Sequence, residues 1–462
     1  MSLLVLSALS LLLVIIAAER PSVLVRGSSA RFFPSWLSGP LGGLLPELHA
    51  SPSALSYLVS AMLVAMFVAY LVAVGLSDRL SARWTIAAIL ALHVVFFLSP
   101  PLSYTDVFNY INYGRMATVD HLNPYVVTPL LEPHSDPSFA LSNWHGLLSP
   151  YGPLFTQLTE ALAPTGIAVS FWALKLIEGL ASLATLAVIW RCAKRLGLRP
   201  TTAVAFAGLN PVLLVWGLGA VHYDSLMMFF LTLAVYLLLR ARPSPDARIE
   251  KADAGRSISR PAVGAGAALA VAIALKATAG ILLPIFLLSG RWRRTLAGLI
   301  PAGAVLLAAA FLSFGEHLPG LTTQGNLINT RGIPDVVGYA LGFGGETHWM
   351  HTALNVVLVG AVALCSAWAW RSPGQWITIA GTLLLVLVVT ISWSVPWYAL
   401  WLLPFAALSR AGWLRSAVLV LSAYFLLSYM PAEATLAGHV GFAPQSTTIG
   451  RAAGQSVAAL GG

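Results

Sequence analysis

Long, nearly uncharged apolar runs recur along this chain from its first residue almost to its last, and they leave few folds open. They fall at about 1–18, 54–76, 84–100, 166–190, 201–219, 223–240, 261–275, 277–289, 295–314, 352–370, 376–392, 396–409 and 416–430. A helix needs roughly 20 such residues to cross a hydrocarbon core about 30 Å thick. In lipid every backbone N–H and C=O must find an internal partner, which restricts spanning structure to helices and closed barrels. The runs lack the two-residue alternation of barrel strands, so they read as helices. Composition removes the soluble alternative: 9% of the 462 residues are charged and 58% are hydrophobic, whereas an ordinary soluble domain carries about 25% charge. The expected fold is an all-α, polytopic transmembrane helical bundle of about 12–13 spans. It forms one domain, 1–462, with two leading spans in 1–83, a core in 84–290 and further spans in 291–462.

Charge placement orients the bundle. The segments 77–83, 191–200, 240–260 and 290–294, Arg371 and the segment 410–415 hold 18 of the 26 Lys and Arg. The longer loops 19–53, 101–165 and 315–351 and the tail hold only Arg20, Arg26, Arg31, Arg115, Arg331 and Arg451. The positive-inside rule puts the first set in the cytoplasm, with the N-terminus inside and the long loops outside. The net charge of +9 is therefore a topology signal, and no nucleic-acid partner is expected. The first 18 residues lack a charged n-region and a small-residue cleavage site, so they read as a retained span. Cys192 and Cys365 sit in different settings and are not expected to pair. The segment 241–260 reads as a linker. Arg260 and Arg291 bracket 261–289, which must then double back, placing Lys276 near the far tip. By the same logic 201–240 turns at His222–Asp224.

Chemistry-bearing residues gather at the external ends. Asp106 opens the largest loop only a few residues past a span, at the depth of the interface, where a carboxylate is costly without a task or partner. It can serve as a general base or cap the helix expected over 107–118. Asp120 and Asp136, deeper in the loop, read as solvated, and a cysteine placed at Ser138 as open to an impermeant reagent. Trp144, His145 and Tyr151 suit either sugar stacking or an aromatic belt. His222 and Asp224 can bind hydroxyls, orient a base or contribute to a metal site, though two residues do not make one. Lys276 needs an anion, a snorkelling route or a lowered pKa, and a lipid phosphate is a natural partner; Arg331 is a second phosphate candidate. Trp393 and Trp397, with Tyr398 and Trp401, either anchor the chain or line a groove. His317, His348 and His351 fit no metal spacing.

The pieces YTDVFNYINYGR, LNPY, SPYGPLF, NPVLLVWGLGAVHYDSLM and ALKATAGILLPIF together resemble a GT-C superfamily glycosyltransferase with a polyprenyl-phosphate sugar donor. They are most similar to the actinobacterial polyprenyl-phosphate-mannose-dependent α-mannosyltransferases. The resemblance covers roughly residues 84–290. It implies an inverting transfer of a hexose, mannose first, to a hydroxyl of a glycolipid or glycan outside the cytoplasmic membrane. Asp106 would be the base and Lys276, with Arg331, the phosphate ligands. Tyr104, Asn109, Arg115, Trp144, His145, Tyr151, His222, Asp224, Trp393 and Trp397 would contact substrate. No cofactor and no metal are expected, since cations can hold the leaving phosphate. Two departures stand out: Tyr223 replaces the family's Asn between His222 and Asp224, and the loop follows the third span where many GT-C enzymes have it after the first. The rival reading is a transporter or flippase for a lipid-linked sugar, whose ionisable groups would lie at mid-membrane.

Overall fold

The structure is a computed structural model that describes residues 1–25, 27–28, 33–45, 50–103, 106–241, 259–320 and 327–439. Tyr104, Arg26, Arg31, Arg451 and most of the expected linker lie outside the described residues. Among the described residues there are helices and no strands. In chain order the helices are α1 (Ser2–Ala18), α2 (Pro52–Gly75), α3 (Ala82–Phe97), α4 (Asp106–Thr118), α5 (Pro137–Leu141), α6 (Pro153–Leu162), α7 (Ile167–Arg195), α8 (Pro200–Gly208) and α9 (Asp224–Ala241). They continue with α10 (Ser259–Leu275), α11 (Leu283–Leu288), α12 (Trp292–Phe314), α13 (Ile333–Ala340), α14 (His348–Arg371), α15 (Trp376–Thr390), α16 (Leu403–Leu408), α17 (Gly412–Tyr429) and α18 (Glu433–His439).

Every apolar run of the sequence is helical, but not every run is a full span. Among the described residues seven helices are long and apolar enough to cross a bilayer, or eight if the bent pair Pro200–Gly208 and Leu213–Gly219 counts as one. Five further apolar helices are shorter, so the apolar runs divide into full, short and broken helices. The breaks have local causes. Pro211 follows α8, and the Asn210 Oδ1 accepts from the Val212 amide (2.9 Å), turning the chain by 64° into a π-helical stretch, Leu213–Gly219. At Lys276 the backbone becomes extended (φ −152°, ψ 113°) and α10 gives way to a 3₁₀ turn.

The centre of the bundle is α8, the π-helical stretch, α9, the 3₁₀ stretch Pro396–Trp401 and α16, where Trp216 and Trp401 are fully buried. The periphery is α12 and α14, with only 17% and 11% of their apolar windows buried. One contact shapes the site. α10 and α12 cross with backbone against backbone: a Cβ on Gly266 would strike the Thr295 carbonyl, and one on Gly298 the Val263 carbonyl. Only glycine permits this approach. From that crossing toward Lys276 and Phe314 the two helices part, and a cavity opens between them.

Candidate active site

The cavity has a volume of about 600 Å³ and lies at the end of the bundle away from the arginine-rich turns. Its wall is of two kinds. Ala270, Ile273 and Ala274 of α10 face Leu299, Gly303 and Leu306 of α12 across an apolar cleft. Asp106, Trp144, Tyr151, Lys276, Trp393 and Trp397 form the polar and aromatic head.

Asp106 occupies the first turn of α4, where unpaired amides and the helix dipole favour an anion. Its Oδ1 accepts from Trp144 Nε1 (3.3 Å) and Asn109 Nδ2 (3.5 Å). Its Oδ2 lies 3.2 Å from His222 Nε2. The His222 ring stacks on Trp397 with centroids 3.5 Å apart, and its Nδ1 is 2.5 Å from the Trp216 carbonyl. A carbonyl only accepts, so Nδ1 is the donor to Trp216, and Nε2 is the ring nitrogen turned to the carboxylate. The π-helical widening brings the Trp216 carbonyl to that ring, as such bulges do at functional positions. Val221, with φ 60°, sits in the left-handed region that is strained for a β-branched residue; it turns the chain directly before His222.

Lys276 is not waiting for an anion. Its Nζ is 2.7 Å from Asp224 Oδ1 and within 5.0 Å of the ring centroids of Tyr223, Tyr398 and Trp401. Trp401 Nε1 donates to the same Asp224 oxygen (2.6 Å). Asp224 is fully buried and Lys276 is 13% exposed. The lysine lines the cavity and the aspartate stands behind it as an anchor. Behind Asp224 again, Glu178 of α7 accepts from the Leu226 amide (3.3 Å) in the first turn of α9. Lys175, also on α7, donates to the Ser99 carbonyl and hydroxyl.

Other expected contacts turn out to hold the loop. Asn109 Oδ1 accepts from the Asn143 and Trp144 amides (2.9 and 3.2 Å), so it positions Trp144. Arg115 forks onto Asp136 (2.8–3.1 Å), away from the cavity. Burial pushes the Asp136 carboxyl up, but Arg115 and Ser138 together hold it below the usual range. Asp136 and Ser138 are thus buried rather than solvated, because the arginine needs an anion inside the loop. Burial also raises Glu132 to about 7, only partly offset by the hydrogen bond from Asn112. His145 stacks on Phe139 (3.9 Å) and bonds Ser142 Oγ, outside the cavity lining. Arg331 pairs with Glu433 (3.0 Å) over the Tyr429 ring, and is likewise absent from the lining. His351 and Glu346 bond Ser392, fixing the turn that carries Trp393. Trp393 meets Trp144 edge to face at 5.4 Å.

The structure therefore gathers Asp106, Trp144, Tyr151, His222, Lys276, Trp393 and Trp397 at one place, with Asp224 behind. Asn109 supports Asp106 and Trp144 from behind the lining, whereas Arg115, His145 and Arg331 lie elsewhere. Tyr110, Tyr223 and Tyr398 also line the cavity; the aromatic cluster around Pro396 marks Tyr398 in the sequence, whereas no spacing marks Tyr110 as a lining residue. Among the described residues no three His, Cys, Asp or Glu side chains are placed to hold a metal.

Residues 8–292 match the family described as alpha-(1->6)-mannopyranosyltransferase, N-terminal domain, and residues 331–459 match the MptB C-terminal domain. The chain belongs to the alpha-(1->6)-mannopyranosyltransferase family. It is 28% identical over 372 residues to alpha-(1->6)-mannopyranosyltransferase A of Mycobacterium tuberculosis, covering 72% of this chain and 67% of that protein. It is 26% identical over 197 residues to the A enzyme of Corynebacterium glutamicum, covering 42% and 36%. A second M. tuberculosis alpha-(1->6)-mannopyranosyltransferase is 26% identical over 396 residues, covering 70% and 65%. The chain thus spans about two thirds or less of these relatives' lengths. No solved structure matches it. Membership of this mannosyltransferase family, with seven apolar helices of spanning length among the described residues, supports a multi-pass membrane glycosyltransferase that moves mannosyl groups.

Proposed function

We propose that the chain transfers mannose, with inversion, from a polyprenyl-phosphate donor to a hydroxyl of a glycan or glycolipid on the external face of the cytoplasmic membrane. One observation carries this reading: a carboxylate and an ammonium share the head of a cavity whose remaining wall is an apolar cleft between α10 and α12. Such a wall suits a substrate with a charged head and a hydrocarbon tail. The acceptor oxygen attacks the anomeric carbon, its proton passing to Asp106, while the carbon–oxygen bond to phosphate breaks with its electron pair. Lys276 balances the charge growing on the departing phosphate. His222, with Nε2 3.2 Å from Asp106 Oδ2, orients the carboxylate. A single displacement inverts, so a β-linked donor gives the α product named in the relatives. The arginine-rich turns at the opposite end favour an external site by the positive-inside rule.

The test uses washed membranes and labelled mannose presented on polyprenyl phosphate or as the nucleotide sugar. Transfer from the polyprenyl phosphate, lost in Asp106→Asn, is the expected result. Transfer from nucleotide sugar in membranes stripped of polyprenyl phosphate would overturn the donor assignment.

A further inference from the structure

A second pocket lies at the arginine-rich end of the bundle, at the far end of α8 from His222. It encloses about 270 Å³ between the C-terminal end of α2, the first turn of α8, Ala407 of α16 and Arg415 of α17. Its polar groups point to one ligand chemistry. Pro200 opens α8 and the N-cap Arg199 supplies no side-chain cap, so the Thr201 and Thr202 amides have no partner within their own helix. The Thr202 Oγ1 is buried and makes no hydrogen bond among the described residues. Ser77 is 3% exposed, lines the pocket, and its hydroxyl has no partner among the described residues. Arg415 donates through Nε to the Ala406 carbonyl (3.2 Å) and through Nη2 to the Ser409 carbonyl (2.8 Å). Those bonds fix the guanidinium and leave Nη1 for a ligand. Asp78 would repel an anion, but Arg199 holds it at 2.8 Å.

A fixed arginine, two hydroxyls without partners and an open helix N-terminus converge on a tetrahedral anion. We propose that this pocket binds a phosphate group, distinct from any phosphate at Lys276. The carrier is either the headgroup of an anionic phospholipid in the leaflet at the basic face or a free phosphorylated solute; both present the same chemistry. The inference does not rest on the sugar-transfer reading.

Gly75 gives a clean probe. It lines the pocket, is helical, and a Cβ there would meet nothing within 4 Å. Gly75→Glu therefore adds a carboxylate to the pocket without touching any hydrogen bond or the catalytic cavity. The full chain is purified in zwitterionic detergent and its thermal unfolding is followed against inorganic phosphate. A parallel arm compares phosphatidylcholine nanodiscs with and without phosphatidylglycerol. The expected result is a saturable rise in unfolding temperature in one arm. Gly75→Glu should weaken that response at least about tenfold, with a smaller loss in Thr202→Val. A response to inorganic phosphate identifies a soluble ligand, and a response only to phosphatidylglycerol identifies the lipid. No shift in either arm overturns the proposal. A shift that Gly75→Glu leaves unchanged places the anion elsewhere, Lys276 included, and overturns it as well.

Discussion

Replacing Lys276 by methionine keeps its length and removes its charge. The structure sets the penalty. Asp224 is wholly buried and would keep only the Trp401 indole N–H at 2.6 Å. Breaking a buried pair by deleting one partner costs about 3–5 kcal/mol, most of it from the stranded charge. The lost contacts with three aromatic faces add a smaller term, up to about 2 kcal/mol for a desolvated cation. Lys276→Met should therefore lower unfolding free energy by about 3–5 kcal/mol. Asp224→Asn alone leaves an ammonium among three rings and should cost a similar amount. In the double variant no charge is stranded, and the amide still accepts from Trp401. Its penalty should be no larger than that of either single variant, giving a coupling energy of at least about 3 kcal/mol. Denaturant unfolding in mixed micelles, followed by tryptophan fluorescence, measures the cycle. Mannosyl transfer from a polyprenyl-phosphate donor, measured on the same four proteins, separates structure from chemistry: the stable double variant should remain inactive. Additive penalties would show that the pair does not hold the site together. A stable and active double variant would remove Lys276 from the phosphate.

Asp106→Asn should lower the transfer rate by about 10²–10⁴-fold while leaving donor binding nearly intact, because the amide keeps the shape and loses the base; activity within threefold of wild type, a margin of about 0.7 kcal/mol, would remove that role. Gly152→Ala should slow transfer by about 10²-fold and also lower the unfolding temperature, since its Cβ would run into the Ala274 and Leu275 carbonyls beside Lys276 and displace the backbone that carries the ammonium; unchanged rate and stability would refute the close approach. For Glu132, held at about 7 by burial, the folded state favours the protonated form. That stability is full below pH about 4.5 and is lost as pH rises through about 7. Glu132→Gln should then match wild type in unfolding temperature at pH 4.5 and exceed it at pH 8, by about 1–3 kcal/mol; equal stability at both would sink the argument. Leu131 is 74% exposed on the long loop, so Leu131→Cys should react with an impermeant thiol reagent in intact cells, and labelling only after permeabilisation would invert the topology.

Hydropathy located the long apolar helices because lipid makes one demand on every residue of a span. Asp106 and Lys276 were legible for a related reason: an ionisable group at the edge of an apolar run must have a cause. The same signal marked Lys175 and Glu178 inside the run 166–190, where the sequence reading passed over them. Arg115 and Arg331 misled, since an arginine in an external loop fits a phosphate and a carboxylate equally well. Only folding shows that Asp136 and Glu433 take them. Tyr110, Tyr223 and Tyr398 converge from three segments distant in sequence, and no local pattern encodes such a meeting. The short and broken helices escaped as well, because an apolar run does not reveal where its backbone will turn.

The glycine crossing of α10 and α12 works as a fulcrum. Thr295 and Val263 press against it at one end, and the two arms end at Lys276 and Phe314. A side chain inserted at Gly266 or Gly298 would prise the short arms apart and swing the long arms, changing the width of the cleft many residues from Asp106. On the proposed reading, the bore that would take the donor's hydrocarbon chain is thereby separated from Asp106, His222 and Lys276. Substitutions near the fulcrum would then retune which lipid is accepted while those three residues keep their places.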